Sequence, residues 1–369
     1  MRCPWLYLSV SLPSKTHFII IMRRGMVVFS GSSHPSLTDN ICQQLSCLPA
    51  KSCLSKFSNN ETRVELHQDV REKSVFIVQS GSSQQHSVND YLMELLTMMH
   101  ACKAASARKI IAVLPFFPYS RQPSTPYTAT GAPSLSPSTT IDDFKSSYCY
   151  RFARAGTLVA NLLMCAGVDH IITLDLHDPQ FQGFFDCPVD NLSSKPIITK
   201  YIQQHIPDYK SAIIVSPDAG GAKRATAIAE HLEMDFVLIH KTRAKTNKRQ
   251  DNNFLLVGDV KDRECIIVDD IIDTAYTITK AAKILHENGA TQIYALVTHA
   301  IFSGDALDRI EHSYLDRVIV SDSIYQDQCT TSCDKIMTFS IAPLFAESIR
   351  RIHYGESINV LFESDYVLF

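Results

Sequence analysis

The sequence predicts an α/β protein built on two mostly parallel sheets flanked by helices, and three features lead to that prediction. From Met26 onward, short apolar runs rich in Val and Ile alternate with helical patterns, as in doubly wound parallel sheets. The length of 369 residues corresponds to about two domains. Nine apolar runs are more than one open sheet of about six strands holds, so we expect two sheets of about four or five strands each. We place the domain boundary near residue 190, between domains 26–190 and 191–369.

The predicted strands are short and buried. They are 27–29, 75–79, 110–117, 171–176, 212–216, 236–239, 265–268, 293–298 and 318–321. Helices are predicted between many of them, most clearly at 88–105, where Ser87 and Asp90 can form a capping box. One apolar stripe runs along that helix, formed by Leu92, Leu95, Leu96, Met99 and Cys102. A second helix is predicted at 278–285, after the strand at 265–268.

Three segments do not fit the alternating pattern. Residues 1–25 contain an apolar run, 18–22, that is followed by Arg23 and Arg24 rather than preceded by basic residues, so we expect an extension outside the fold rather than a secretory signal. Residues 122–141 carry no charge, and 13 of the 18 positions from 123 to 140 are Pro, Ser or Thr, which predicts a long flexible loop. The basic, polar stretch 243–253 predicts a solvated loop.

The composition excludes several classes of protein. Lys and Arg number 35 against 38 Asp and Glu, a net charge of −3, which favours a small-molecule or protein partner over nucleic acid. No stretch reaches the roughly 18 apolar residues of a membrane span, so no membrane partner is expected. The eleven cysteines form no C-x-x-C pair, which favours reduced thiols in a cytoplasmic protein over a disulfide framework or a zinc ribbon.

Ligands of open parallel sheets bind beyond the carboxyl ends of the strands, so the residues after each run are the candidate site. After 265–268 come Asp269 and Asp270, two adjacent acids that can bind sugar hydroxyls or hold a cation through water. The turn 273–277 follows and offers backbone N–H groups and hydroxyls at a helix N-terminus, which suit a phosphate monoester. The alternative is an ordinary strand-to-helix loop with an Asp or Thr cap, which does not require paired acids.

Two further strand ends carry polar motifs. After 212–216, the run 217–224 combines two glycines with Lys223 and Arg224, which suits a polyphosphate or its metal complex; the alternative is a glycine turn in which Asp218 caps the helix. After 171–174, Asp175 and His177 alternate along a strand end, so we expect them to point the same way and share a divalent metal or its waters. Asp186 and Asp190 add acids nearby. A satisfied core histidine is the alternative for His177.

The run 175–190 resembles the signature of phosphoribosyl pyrophosphate (PRPP) synthetases, also called ribose-phosphate diphosphokinases. Residues 265–277 are similar to the PRPP loop of phosphoribosyltransferases. Further matches are 57–62, 117–122, 217–224, 240–243 and 350–357. The resemblance extends from Met26 to about Phe362 and is closest to fungal subunits with an inserted catalytic loop, here 123–157.

The resemblance implies two tandem phosphoribosyltransferase-like domains, each with a central, mostly parallel sheet flanked by helices, with the C-terminal segment packing back on the first domain. It implies a homo- or hetero-oligomer with other synthetase subunits. The implied reaction transfers pyrophosphate from Mg-ATP to the 1-hydroxyl of ribose 5-phosphate, giving PRPP and AMP for nucleotide biosynthesis. Mg²⁺ is the implied cofactor.

The same resemblance assigns roles to residues of this chain. ATP contacts are implied for Phe57, Asn59, Glu61, Arg121 and Gln122. Metal contacts are implied for His177 and Asp218, with Asp175, Asp186 and Asp190 as further acidic candidates. Ribose hydroxyls are assigned to Asp269 and Asp270, and the 5-phosphate to Asp273, Thr274, Ala275, Tyr276 and Thr277. Catalytic stabilisation of the transferred group is assigned to Lys241 and Arg243.

Two departures from the family pattern motivate an alternative. The family's catalytic loop is short and basic, whereas 123–157 is 35 residues long and has Thr157 where the family commonly has lysine. Tyr276 stands where active members commonly have glycine. The alternative is a weakly active or inactive structural or regulatory subunit of a hetero-oligomer. A phosphoribosyltransferase that consumes PRPP is a third reading, but it does not explain 175–190 or the second sheet.

Overall fold

The computed structural model describes residues 25–83, 85–121, 155–242 and 253–362. The predicted extension 1–25 lies outside these ranges except for residue 25, as do the predicted loop 122–141, residues 123–154 of the inserted loop 123–157 and residues 243–252 of the loop 243–253. The ends of two loops are wrong, because residues 155–157 begin a helix and residue 253 begins a strand. Residue 25 is a turn that leads into the first strand, which begins at Met26 as predicted.

The first sheet is entirely parallel. Its elements and those around it are β1 (Met26–Ser30), α1 (Pro35–Gln44), β2 (Ser52–Lys56), β3 (Thr62–Leu66), β4 (Ser74–Val78), α2 (Val88–Ala104), β5 (Lys109–Leu114), α3 (Ala155–Ala166), β6 (His170–Leu174) and β7 (Val189–Leu192). The strand order of the sheet is β1-β4-β5-β6-β7. A 3-10 helix at Pro179–Phe184 lies between β6 and β7. Strands β2 and β3 form a separate antiparallel hairpin.

The second sheet has seven strands. Its strands and the helices around it are α4 (Lys195–His205), β8 (Ile213–Ser216), α5 (Ala222–Leu232), β9 (Asp235–Thr242), β10 (Asn253–Val257), β11 (Cys265–Ile272), α6 (Tyr276–Glu287), β12 (Ile293–Ala300), α7 (Ala306–Glu311), β13 (Arg317–Ser321), α8 (Asp327–Ser332), β14 (Ile336–Phe339) and α9 (Ala342–Tyr354). The strand order is β10-β9-β8-β11-β12-β13-β14, and only β10 is antiparallel. Short 3-10 helices lie at Tyr209–Ser211 and Asn359–Phe362.

All nine predicted strands are present, four in the first sheet and five in the second. The strands that the sequence did not predict are the edge strands β7, β10 and β14 and the hairpin β2–β3, so the second sheet is larger than the four or five strands expected. Strand β7 spans residue 190, where the domain boundary is predicted. The predicted capping box of α2 is confirmed, since Ser87 and Asp90 each accept a backbone N–H bond from the other.

The carboxyl edges of the two sheets face each other. The Ser80 hydroxyl, after β4, donates to the carbonyl of Ser323, after β13, over 2.6 Å. Further along, His299 at the end of β12 contacts the carbonyl of Leu174 at the end of β6, with Nε2 3.0 Å from the oxygen. This arrangement places the polar residues of both sets of strand ends around one cleft.

Helix α9 reaches back from the C-terminal part of the chain and packs against α1. Leu37 and Ile41 of α1 share one buried core with Phe345 and Ile349 of α9, and all four side chains are fully buried. None of the helices within the described ranges has the length and apolar character needed to cross a bilayer.

Candidate active site

A cavity of about 500 Å³ opens where the two carboxyl edges meet. Its walls come from four strand ends, β5, β6, β8 and β11, and from the start of α6. The lining residues are Arg121, His177, Asp218, Gly220, Gly221, Arg224 and 269–278. The three motifs singled out after separate strands therefore meet in one place, together with Arg121.

Asp270 is the charged centre of this cavity. It lies near the end of β11 and is 7% exposed. One carboxylate oxygen lies 2.7 Å from His177 Nδ1, and the other lies 3.4 Å from an Arg224 guanidinium nitrogen. Burial opposes ionisation, but the hydrogen bond and charge of His177 and the charge of Arg224 hold the pKa of Asp270 below its ordinary value. The Asp270 hydrogen bond in turn raises the pKa of His177, and the two side chains contact each other across the cleft.

Asp269 precedes Asp270 on the same strand and has the opposite electrostatic character. Burial, the neighbouring Asp270 charge and the Asp218 charge raise the pKa of Asp269 well above its ordinary value. A Cβ built on Gly221 would lie 3.0 Å from Ser216 Oγ, 3.8 Å from Asp218 Oδ1 and 3.9 Å from Asp269 Oδ1, so the absence of a side chain lets these three oxygens approach the Gly221 backbone.

Asp218 lines the cavity and does not occupy the N-cap of α5, which is Gly221 and has no side-chain cap hydrogen bond. Its Oδ1 accepts the Gly221 N–H over 2.9 Å at the start of α5, and its backbone carbonyl accepts the Ser216 hydroxyl over 2.7 Å. The carboxylate itself is exposed to the cleft. The hydrogen bond from Gly221 uses Oδ1, so Oδ2 of Asp218 is available to a ligand.

The turn 273–277, for which the sequence predicts an anion site, lines the cavity and leads into helix α6. Helix α6 begins at Tyr276, and no side chain caps its first amides. Two carbonyls of the turn accept hydrogen bonds from outside it: Ser303 N–H donates to Asp273 O over 3.0 Å, and the Arg309 side chain donates to Thr274 O over 2.7 Å. The first N–H groups of a helix have no partner within the helix, so those at the start of α6, whose residues line the cavity, are candidates to bind an anion.

One residue of this turn has an unusual backbone conformation. Ala275 has a φ of +59°, in the left-handed region that costs a non-glycine residue roughly 1–2 kcal/mol. Tyr276 is 58% exposed, and Lys280 Nζ lies 5.7 Å from its ring.

Arg121, from the first sheet, forms an ion pair with Asp273. Although burial opposes it, hydrogen bonds from Ser303 and Arg121 lower the pKa of Asp273.

Asp175 does not line the cavity. The expected strand alternation through Asp175 and His177 does not occur, because β6 ends at Leu174 and Asp175 has a φ of +39°. Its carboxylate accepts hydrogen bonds from the Ser194 hydroxyl and, over 2.7 Å, from the Thr298 hydroxyl of β12. Asp175 thus ties the end of β6 to the second sheet and positions the loop that carries His177.

Asp186 and Asp190 also lie outside the cavity lining. Asp186 is exposed, and Asp190 Oδ2 lies 2.7 Å from Nε2 of His170, the first residue of β6. The parallel register pairs Asp190 with Ile172, so this carboxylate lies away from the carboxyl edge of the sheet. Within the described ranges, no group of three or more His, Cys, Asp or Glu side chains is arranged to hold a metal ion.

The remaining candidates that the structure describes lie on two antiparallel strand pairs. Phe57, Asn59 and Glu61 form the tip of hairpin β2–β3, where Phe57 N–H donates to Glu61 O over 2.9 Å and Phe57 is 51% exposed. The cavity lining includes none of these three described residues. Lys241 lies in β9 opposite Phe254 of β10. Gln122 and Arg243 lie outside the described residues.

Supporting residues that the sequence did not predict come from strand ends and helices of the second sheet. Ser194, Thr298, Ser303 and Arg309 hold the loops of the site through the contacts given above. Thr298 could have been noticed as a polar residue at the end of an apolar strand. Arg309 follows the turn that it supports by 35 residues, and no local pattern marks it.

Two family models match the chain. The N-terminal domain of ribose phosphate pyrophosphokinase matches residues 26–131, and the phosphoribosyl synthetase-associated domain matches residues 244–363. The PRPP synthetase of Mycobacterium smegmatis has a similar crystal structure, with a TM-score of 0.77 and 33% sequence identity over 90% of this chain and 100% of that one. The fold is therefore the two-domain, phosphoribosyltransferase-type fold of these transferases.

Ribose-phosphate pyrophosphokinase 5 of Schizosaccharomyces pombe is 51% identical over 346 residues, which cover 93% of this chain and 99% of that protein. The chain belongs to the ribose-phosphate pyrophosphokinase family, whose general function is PRPP synthesis.

Proposed function

We propose that this chain is a catalytic subunit that transfers pyrophosphate from Mg-ATP to the 1-hydroxyl of ribose 5-phosphate, giving PRPP and AMP. One observation carries the proposal: the paired acids Asp269 and Asp270 and the uncapped start of α6 lie in the same cavity as Arg121 and His177 of the other sheet. A sugar phosphate and a polyphosphate both find matching groups there.

Ribose 5-phosphate fits the second-sheet wall of the cavity. The 5-phosphate would bind at 273–277, where helix N–H groups and the positive end of α6 favour an anion. Asp269 and Asp270 would accept hydrogen bonds from the ribose hydroxyls. Asp270 is fixed by His177 and Arg224, which keeps one carboxylate oriented while the sugar binds.

The residues present fit Mg²⁺. The Asp218 and Asp269 carboxylates both lie near Gly221, and the Asp218 charge is one cause, after burial and the neighbouring Asp270, of the raised pKa of Asp269; a cation near the two acids would offset that repulsion. Magnesium is usually held by one or two carboxylates, waters and substrate phosphates, so a cage of three protein ligands is not required. Asp218 and Asp269 would hold it, with His177 nearby. When bound, it neutralises polyphosphate charge.

The chemistry requires positioning more than a covalent nucleophile. The 1-hydroxyl oxygen forms a bond to the β-phosphorus of ATP, the bond from that phosphorus to the AMP oxygen breaks, and the hydroxyl proton is released. Charge develops on the transferred group, and fixed cations there are each worth roughly 100- to 1000-fold in rate. Arg121, Lys241 and Arg243 are the proposed cations.

A second candidate is a weakly active or inactive structural or regulatory subunit of a hetero-oligomer. Tyr276 favours it, because this residue lines the cavity at the first position of α6, where a phosphate would approach. Thr157, in α3, also replaces a basic residue that the resemblance leads us to expect. Full turnover by the homomeric protein would exclude this candidate.

The proposed reaction is tested with ATP labelled at the β-phosphorus. The label should appear in the sugar product, and AMP rather than ADP should accumulate in equal amount. Asp218→Asn should lower the rate about 100-fold or more. The matched control is Asp259→Asn, which should leave the rate unchanged because Asp259 is an exposed loop residue outside the cavity. Formation of ADP would show single phosphoryl transfer and contradict the proposal.

A further inference from the structure

Helix α1 ends in a motif that brings two cysteines together. Cys47 N–H donates to Cys42 O over 2.8 Å and Ser46 N–H donates to Gln43 O over 2.9 Å, while Ser46 has a φ of +49°. These two bonds and the left-handed residue define a Schellman motif, in which the side chains three positions before the cap and two positions after it usually touch. Here those side chains are the thiols of Cys42 and Cys47.

The thiols make the contact that the backbone predicts. A hydrogen bond between the Cys42 and Cys47 side chains, together with burial, raises the pKa of Cys42. A disulfide requires Cβ atoms about 3.5–4.5 Å apart, and the side-chain contact of this motif brings the two cysteines toward each other. The nine cysteines within the described ranges, these two included, are not joined in disulfides.

The pair is open to small molecules from one side. Cys42 is 1% exposed and Cys47 is half-buried, but both line a surface cavity of about 820 Å³. The other lining residues are Asp39, Gln43, Ser46, Leu48 and Pro49. A peptide-sized disulfide can therefore reach Cys47 first, with Cys42 behind it.

We propose that Cys42 and Cys47 are a dithiol modification site that exchanges with low-molecular-weight disulfides, such as oxidised glutathione, to form an intramolecular disulfide. The Cys47 thiolate attacks one sulfur of the reagent, and the first glutathione thiol leaves. Cys42 then loses its proton and attacks the Cys47 sulfur of the mixed disulfide, which releases the second glutathione thiol. Two protein thiols are oxidised, and one glutathione disulfide is reduced to two thiols.

The second step should be fast although the pKa of Cys42 is high. A raised pKa lowers the thiolate fraction, but a thiol held in contact reacts as an intramolecular group, and effective concentrations of this kind are very large. A mixed disulfide at Cys47 should therefore not accumulate. Cys53 and Cys165 are exposed thiols of the same chain and report on how far the reagent has reacted.

The test treats the folded full-length chain with oxidised glutathione, blocks remaining thiols with an alkylating agent, and digests with trypsin. The peptide 25–51 contains Cys42 and Cys47 and no other cysteine, because Arg24 and Lys51 are the nearest cleavage sites. We expect this peptide to lose two hydrogen atoms of mass, to resist alkylation, and to recover on reduction.

Two variants separate the steps. Cys42→Ser should leave a stable glutathione adduct on Cys47, and Cys47→Ser should leave Cys42 reduced. The proposal is overturned if the wild-type peptide stays alkylated at both cysteines while Cys53 or Cys165 carries glutathione. It is equally overturned if the wild-type peptide accumulates a glutathione adduct. Both contrary outcomes are read from the wild-type chain, so they do not depend on folding of the variants.

Discussion

Replacing Asp175 distinguishes a structural residue from a metal ligand. The structure places its carboxylate on the Ser194 and Thr298 hydroxyls, whereas the sequence motif made it a candidate for the metal. We expect Asp175→Ala to lower the free energy of unfolding by about 3 kcal/mol without any magnesium present. A residue that acted only on a bound cation would show no such loss in metal-free buffer.

The magnitude follows from the contacts. Hydrogen bonds to a charged group contribute about 1.5–3 kcal/mol each. The Ser194 and Thr298 hydroxyls lie 2.9 Å apart and can bond to each other once the carboxylate is gone. The third bond to the carboxylate, from Ser194 N–H, is long at 3.3 Å, so the net loss corresponds to about one charged bond, about 2 kcal/mol. The left-handed backbone at Asp175 adds about 1 kcal/mol for alanine. Asp175→Asn keeps an acceptor and tolerates that backbone, so it should cost about 1 kcal/mol.

Urea denaturation with a chelator present measures these values. Asp262→Ala is the matched control, since Asp262 is exposed and has a φ of +58°, so it should show only the backbone cost of about 1 kcal/mol. If Asp175→Ala and Asp262→Ala lost the same stability, the network with Ser194 and Thr298 would contribute nothing, and the account of this residue would fail.

Three further predictions concern the cleft and the core. In urea denaturation, Asp270→Asn should destabilise the fold more at about pH 5.5 than at about pH 9. Asp270 raises the pKa of His177 in the folded state, and the resulting stability is complete below the unfolded pKa of about 6.5. This stability is lost as the pH rises through the folded pKa. Arg121→Ala should leave the unfolding free energy within about 1 kcal/mol, since the Arg121 side chain is 52% exposed, yet lower kcat about 100-fold in steady-state assays. Ile349→Ala should cost about 3 kcal/mol on thermal or urea unfolding, because Ile349 is fully buried between α9 and α1.

The sequence predicts the central strands well because they are buried on both faces and read as continuous apolar runs. Strand β4 is buried at every position, and so is β6. The strands it misses are exposed or at an edge: β2, with the sequence SCLSK, has no buried residue, and β14 is buried only at its two ends. An apolar run is a sign of burial, so strands without burial leave no such sign.

The sequence also predicts only part of the candidate site, namely the part formed by residues close together in the chain. Asp269, Asp270 and the turn after them are local features of one strand end, and the structure keeps them together. The contact of His177 with Asp270 joins residues 93 positions apart, so only the meeting of the two sheets creates it. Asp190 belongs to the same motif as His177, but the register of β7 against β6 places it opposite Ile172. Closeness in sequence therefore did not decide which acids reach the cleft.

The most direct test of the proposed function is AMP formation from Mg-ATP and ribose 5-phosphate by the purified chain alone, compared with its mixture with a subunit that has a short basic loop. We predict turnover by the chain alone, with one AMP formed for each PRPP. No turnover alone, with enhanced activity in the mixture, would contradict the catalytic role and assign the chain to assembly or regulation.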